Sequence, residues 1–220
     1  MGRPRPSVRS GLTLALAVIL GVGASWGFQT FLRPAQKLEL SPVFEAALTD
    51  PGSPAVGGPG ADVTVVIFTD YRCGICQATA PALARLLAKD QKVRVIYKDW
   101  PIRGPDSALS ARWALAAVYQ GRYRAFHDAL MASRGPLDET RILEIASAAG
   151  LDVQRLRIDR TVRASQIEAQ IGRHGSQAFG LGLQGTPAYL IGPYLVQGGL
   201  DDLPLAAAVR RARRSGRQSG

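Results

Sequence analysis

Cysteine is nearly absent from this 220-residue chain: there are two, three positions apart, in Cys73-Gly-Ile-Cys76. Two cysteines cannot build the multi-bridge framework of a small disulfide-stapled fold. Histidine is as scarce, with only His127 and His174, in separate helix-like stretches. The four-ligand spacing of a structural zinc site is therefore missing, and no metal or other cofactor is expected. Acidic residues are missing from both ends. Arg3, Arg5 and Arg9 occupy the first ten residues, and Arg210, Arg211, Arg213, Arg214 and Arg217 the last eleven, with no Asp or Glu in either stretch. These eight account for most of the formal +10, because the other 19 basic residues face 17 acids. A nearly neutral body has no basic footprint for nucleic acid, and the tail lacks the interleaved aromatics that stack on bases. No nucleic-acid partner is expected. Residues 210–220 read as a basic disordered tail, a solvated helix end running into a Ser/Gly terminus, with weak attraction to anionic lipid as the alternative. No internal repeat is visible.

Charge is also missing from Gly11 to Leu32, 22 residues behind the arginine-rich start and ending at Arg33. A positive stretch followed by an uncharged run of this length reads as a signal peptide or a signal anchor over residues 1–33. Val22-Gly-Ala24 before Ser25 offers small residues for cleavage, but the apolar run continues through Trp26, Phe28, Phe31 and Leu32, which favours an uncleaved anchor. Either fate exports residues 34–220, so the expected location is periplasmic or extracytoplasmic, with the inner membrane held by residues 11–32.

The two cysteines then sit in an oxidising compartment, where an intramolecular Cys73-Cys76 disulfide is the expected resting form. A four-residue ring stabilises a fold little, because loop-closure entropy grows with loop length. Its value lies in exchange chemistry. Val63 to Thr69 is β-branched and apolar, a buried-strand pattern, and Gln77 to Lys89 has alanines and leucines at helical spacing. Cys73 thus falls near a helix N-terminus, where unpaired N–H groups and the helix dipole favour a thiolate. Cys76 lies one turn inside, on the same face.

The rest of the chain supplies a definite order. Leu38 to Leu48 predicts a short helix, and a turn-rich stretch to Gly60 holds a short edge strand at Ala55-Val56. Strand 63–69, the CxxC helix with Pro81 inside it and strand Val93 to Tyr97 follow. Helical spacing then recurs over Ala108–Tyr119, Tyr123–Ala132, Glu139–Ala148 and Val153–Phe179, with Asp138 and Asp152 placed as caps. Strands Ala188–Ile191 and Tyr194–Gln197 and a helix from about Asp201 complete the chain. Without the helical block, this is the α/β thioredoxin arrangement, with a redox motif at a strand's carboxyl end. The expected units are a linker with short helix and edge strand (34–60), a first thioredoxin part (61–104), a helical insertion (105–183) and a second thioredoxin part (184–209).

Four segments in this order resemble the DsbA-like thiol-disulfide oxidoreductases, especially the exported subgroup that includes the ScsC type. They are Phe68-Thr-Asp-Tyr-Arg-Cys-Gly-Ile-Cys76, Lys98-Asp-Trp-Pro-Ile-Arg-Gly-Pro-Asp-Ser107, Gly121-Arg-Tyr-Arg-Ala-Phe-His-Asp-Ala-Leu130 and Gly185-Thr-Pro-Ala-Tyr189. The resemblance spans about residues 50–208. It implies a thioredoxin fold with an inserted helical domain, Cys73 and Cys76 as the catalytic pair, and exported cysteine-containing proteins as substrates. It also implies a membrane redox partner and a cis bond at Thr186-Pro187, where Thr186 presents backbone groups to an extended substrate. A strand-opening proline after a glycine turn is the bland alternative.

The chain departs from the pattern in two places. Many thioredoxin-like enzymes carry a buried acid six residues before the first cysteine, where this chain has Ile67. Asp70 is the candidate substitute for proton transfer, against a competing role as a loop or helix cap. Gly-Ile also replaces the Pro-His of the most oxidising members, which predicts a less acidic Cys73 and leaves reductase or isomerase work open; Arg72 could offset part of that loss. A metal carrier through the CxxC, and a holdase groove lined by Trp100, Trp113 and Tyr189, are the rivals from other classes. His127 reads as a packing residue.

Overall fold

The computed structural model describes residues 35–39, 41–58 and 60–218. The signal-segment and anchor expectations for residues 1–33 therefore fall outside the described residues. Among the described residues no helix is long and apolar enough to cross a membrane.

Six strands form one mixed sheet: β1 (Gln36–Lys37), β2 (Ala55–Val56), β3 (Val63–Thr69), β4 (Val93–Asp99), β5 (Ala188–Ile191) and β6 (Tyr194–Gln197). Their order is β1-β6-β5-β3-β4-β2, with β3 and β4 parallel and every other pair antiparallel. The helices are α1 (Pro42–Thr49), α2 (Gly74–Lys89), α3 (Pro105–Ala116), α4 (Tyr123–Ala132), α5 (Glu139–Ala148), α6 (Val153–Val162), α7 (Ala164–Gly180) and α8 (Asp202–Gln218); a 3-10 turn covers Ala117–Gln120. This is a thioredoxin-like sheet with helices α3 to α7 inserted between β4 and β5.

Strand alternation sorts the core onto two faces. Val65 and Ile67 of β3, with Val95 and Tyr97 of β4, meet α2, α8 and the inserted helices in one cluster that includes Trp113, Phe126, Leu205 and Val209. Val66 and Phe68, with Ile96 and Leu190, face the other way onto Phe44 and Ala47 of α1 and Ala178 of α7. The central strand is covered on both sides, which explains its continuous apolar run.

Several boundaries differ from the sequence expectation, each for a local reason. The first helix starts at Pro42 because the Ser41 hydroxyl caps the Phe44 N–H at 3.3 Å and proline suits the first turn. Strand β4 continues past Tyr97 through two charged residues, since Lys98 and Asp99 pair in register with Phe68 and Thr69 and both side chains find buried partners. The stretch 153–179 breaks at Arg163, whose backbone (φ −102°, ψ 12°) leaves the helical region. Strand β1, not anticipated, pairs with β6. The tail read as disordered from residue 210 is helical to Gln218: Leu205, Val209 and Ala212 give α8 an apolar stripe, and Arg213 pairs with Asp62 and Asp90.

A buried polar cluster ties α1 to the sheet. The Lys98 ammonium, fully buried, lies 3.4 Å from Asp50 Oδ2 and donates to Ser53 Oγ at 2.8 Å. Gln170 of α7 donates to Asp50 at 2.8 Å, and His174 Nδ1 lies 3.1 Å from the Asp99 carbonyl. Burial opposes ionisation of Asp50, but Lys98, the Gln170 hydrogen bond, Arg173 and His174 outweigh it and hold the carboxyl at about 2. Burial dominates at Lys98 and brings it down to about 8 despite Asp50. Asp50 gathers four partners and Lys98 only one charge, so the pair favours the carboxylate more than the ammonium.

Because Asp50 titrates below its ordinary 3.8 in the folded chain, its contribution is present above pH 4 and lost as pH falls towards 2. Asp50→Asn should lower stability at neutral pH by roughly 3 kcal/mol, by leaving Lys98 without its counter-charge. It should also flatten the acid limb of a denaturant-midpoint against pH curve; an unchanged acid limb would count against the pairing.

Candidate active site

The end of β3 delivers the chain into a tight loop, Asp70-Tyr71-Arg72, that places Cys73 as the N-cap of α2. Its extended backbone (φ −84°, ψ 111°) lets the Cys73 carbonyl accept the first helical bond from Gln77 N–H at 3.0 Å. Its sulfur accepts from the Cys76 N–H at 3.4 Å, where serine or aspartate would ordinarily cap. When protonated, the Cys73 thiol also donates to the Thr186 carbonyl at 3.2 Å, so the peptide before Pro187, which is cis, lies against the sulfur. The two cysteines are not bridged in this structure.

The two sulfurs differ sharply. Cys73 is brought down to about 5, first by a hydrogen bond from the Cys76 thiol, against a cost of burial, and further by the Thr186 side chain and the N–H groups of Cys76 and Ile75. The Thr186 hydroxyl is buried with no hydrogen-bond partner among the described residues. Cys76 is pushed well up, first by burial and then by Cys73, with only Asp70 N–H and the Thr69 hydroxyl opposing. One sulfur is thus a thiolate at neutral pH and its neighbour a thiol that donates to it. Cys73 is itself buried, whereas Ile75, two residues on, is 53% exposed.

Asp70 is buried, and both carboxylate oxygens are engaged. Oδ1 accepts from Arg72 N–H and Ser107 Oγ, each at 2.7 Å; Oδ2 accepts from Ile102 N–H at 2.7 Å and Arg103 N–H at 3.0 Å. That pattern clamps the cysteine loop to the loop after β4 and to the start of α3. Arg72 donates to the Gly135 carbonyl and stands 4.0 Å from Asp106, which adds a second tie to the insertion. Trp100, Trp113 and Tyr189 are all buried, as core rather than groove lining.

The sequence reading missed a polar cluster beneath this loop. Tyr123 OH donates to both oxygens of Asp99 at 3.0 and 3.1 Å, and Tyr71 OH lies 2.9 Å from His127 Nδ1. Burial pushes Asp99 up to about 7, eased by the Tyr71 and Tyr123 hydroxyls, and brings His127, also repelled by Arg124, down to about 3. His127 is thus a neutral packing residue. The signal for Asp99 was its place just beyond a strand predicted to follow the strand that feeds Cys73. Among the described residues no group of three or more His, Cys, Asp or Glu could hold a metal.

A thioredoxin sheet that carries an acidic N-cap cysteine, a protonated partner one turn on and a cis-proline loop against the sulfur defines a thiol-disulfide oxidoreductase. The family model for the DSBA-like thioredoxin domain matches residues 64–208, and the chain belongs to that family. Solved structures agree. A thioredoxin-like oxidoreductase from Silicibacter pomeroyi is 40% identical, covering 77% of this chain and 97% of its own, with a TM-score of 0.72. A periplasmic thioredoxin-like protein from Salmonella enterica is 30% identical (80% and 99% covered, TM-score 0.67), and the catalytic domain of Proteus mirabilis ScsC 26% (78% and 94%, 0.70). Among curated relatives, a Na(+)/H(+) antiporter NhaA from Salinispora tropica is 30% identical over 177 residues, which are 76% of this chain but only 26% of the antiporter. The chain spans about a quarter of the length of such relatives.

Two variants test the site. Cys76→Ala removes the largest support for the Cys73 thiolate, so its ultraviolet titration midpoint should rise from about 5 towards the ordinary thiol value. Asp70→Ala should cost about 3 kcal/mol in chemical denaturation by orphaning buried N–H donors, with Asp70→Asn recovering part of it. A fully stable Asp70→Ala that exchanges disulfides slowly would instead assign Asp70 to proton transfer.

Proposed function

We propose that this chain is an exported protein thiol-disulfide oxidoreductase that exchanges disulfides with extracytoplasmic proteins through Cys73 and Cys76. The observation that carries the reading is the unequal pair of sulfurs, about 5 at Cys73 and far above an ordinary thiol at Cys76. In the oxidised form, a substrate thiolate attacks Cys73 sulfur, the Cys73–Cys76 bond breaks, and Cys76 leaves and takes up a proton, as its raised affinity favours. A second substrate thiolate then attacks its partner sulfur in the mixed disulfide and expels Cys73. A low-pKa thiolate is a good leaving group, so this step is fast and the reduced enzyme is stabilised. Two substrate thiols become one disulfide while the enzyme disulfide becomes a dithiol.

Thr186 and Pro187 border the reacting sulfur, and an extended substrate lies against their backbone. Asp70 holds the loop rather than moving a proton. A membrane redox partner returns the dithiol to the disulfide; a membrane donor in its place would run the same steps backwards, as reductase or isomerase. Export follows from the arginine-led uncharged run, which anchors the chain through residues 11–32, and accords with the periplasmic Salmonella relative. Transport is not carried over from the antiporter relatives.

Expressing the chain with Cys76→Ser should trap Cys73-linked mixed disulfides with exported proteins, visible on non-reducing gels and absent when Cys73 is also replaced. No such adducts, together with no thiol-oxidising or disulfide-reducing activity in the unmutated protein, would sink the assignment. The outcome of a redox titration sets the direction: a dithiol that equilibrates near strong reductants marks the reductase.

A further inference from the structure

The arginines of α8 are spaced to make a surface. Arg210, Arg214 and Arg217 follow steps of four and three, so they share one stripe, and Arg211 flanks it. All four are exposed, while Leu205, Val209 and Ala212 face the core from the other side of the helix. No acid lies between Leu203 and Gln218. The nearby acids Asp62 and Asp90 are both taken by Arg213, at 2.8 and 3.0 Å. Lys92 and Arg217 line an open cleft of about 550 Å³ beside that bridge.

The position of this stripe in the fold is informative. Asp62 and Asp90 precede β3 and β4, whereas Cys73 follows β3, so the arginine end of α8 and the cysteines lie at opposite ends of the parallel strands. Seven residues of β3 separate them by about 23 Å. The start of the described chain comes to the arginine end. Lys37 of β1 pairs with Tyr194, whose ring carries the Arg211 guanidinium at 4.1 Å and whose hydroxyl lies 2.8 Å from Ser215 Oγ. Along the chain, the uncharged run Gly11–Leu32 ends five residues before Lys37, a reach of at most about 18 Å.

We propose that Arg210, Arg211, Arg214 and Arg217, with Lys37, form a docking face for an anionic phospholipid bilayer, so that the domain stands on the membrane with its cysteines directed away. Each basic side chain near such a surface strengthens attachment by about five-fold at modest ionic strength. Nucleic acid fits less well: the one aromatic ring in the stripe, Tyr194, is already covered by Arg211, and no exposed ring remains there for base stacking. The orientation suits the exchange reaction proposed above, but the lipid attachment is independent of it and would survive its failure.

The test uses residues 35–220 without the uncharged run. Both core clusters close within residues 44–212, and the solved Silicibacter pomeroyi chain is matched over 97% of its length by 77% of this one. Co-sedimentation should show binding to phosphatidylglycerol-containing vesicles but not to pure phosphatidylcholine, weakening as salt rises. The triple variant Arg210→Gln, Arg214→Gln, Arg217→Gln should lose on the order of 100-fold in affinity, with an unchanged melting temperature and Cys73 titration. The alkylation rate of Cys73 should be the same with and without vesicles. Equal binding to neutral and anionic vesicles, full affinity in the triple variant, or displacement by duplex DNA at matching affinity would overturn the lipid face. Vesicle protection of Cys73 would overturn the orientation.

Discussion

A sulfur in the place of an oxygen at a helix N-cap is the contact on which the rest of this molecule turns. At Cys73 the cap accepts the Cys76 N–H and starts α2 with the same geometry that prepares the sulfur to carry charge. A protonated Cys76 one turn on completes the arrangement, and its burial keeps it from competing for the negative charge. Asp70, Arg72 and the cis peptide before Pro187 hold the loop from three directions, through the loop after β4, the inserted helices and β5. The helical insertion therefore does more than enlarge the core, because it fixes the position of the cysteine loop.

Much of this could be read from residues alone. The β-branched run 63–69, the CxxC and the helical spacing beyond it gave the strand, the cap and the helix, since each is a local pattern with a single reading. The hairpin strands near the C-terminus were legible for the same reason. Charge misled in two places. Lys98 and Asp99 looked like the end of a strand and are inside it, because Asp50 and Tyr123 come from distant elements to meet them. The arginines of the tail looked solvated, yet one of them bridges Asp62 and Asp90 and holds α8 against the sheet. At Asp70, weighed between proton transfer and a loop or helix cap, four hydrogen bonds accord with the capping role, and the longest-range of them come from the loop after β4 and the start of α3. These partners lie between 24 and 151 residues away in the chain, where no spacing rule reaches.

Two buried polar clusters sit either side of the sheet near the carboxyl ends of β3 and β4. One centres on Asp50, Lys98 and His174 and secures α1; the other centres on Asp99, Tyr71, Tyr123 and His127 and lies under the cysteine loop. His174 meets the Asp99 carbonyl, so the two share a backbone residue. Ile67, where many thioredoxin-like enzymes carry an acid, joins the apolar cluster that holds Cys73 and Cys76, and burial raises Asp99 on the neighbouring strand to about 7.

Across neutral pH the reduced pair holds one thiolate and one thiol. The most direct measurement is the reduction potential of Cys73–Cys76 as a function of pH. Where reduction takes up one proton with two electrons, the potential should fall by about 30 mV per pH unit, and where it takes up two, by about 59 mV. The shallower slope is expected through neutral pH, with a break to the steeper one near pH 5. A single steep slope continuing to pH 8 would show that Cys73 is an ordinary thiol and would contradict it.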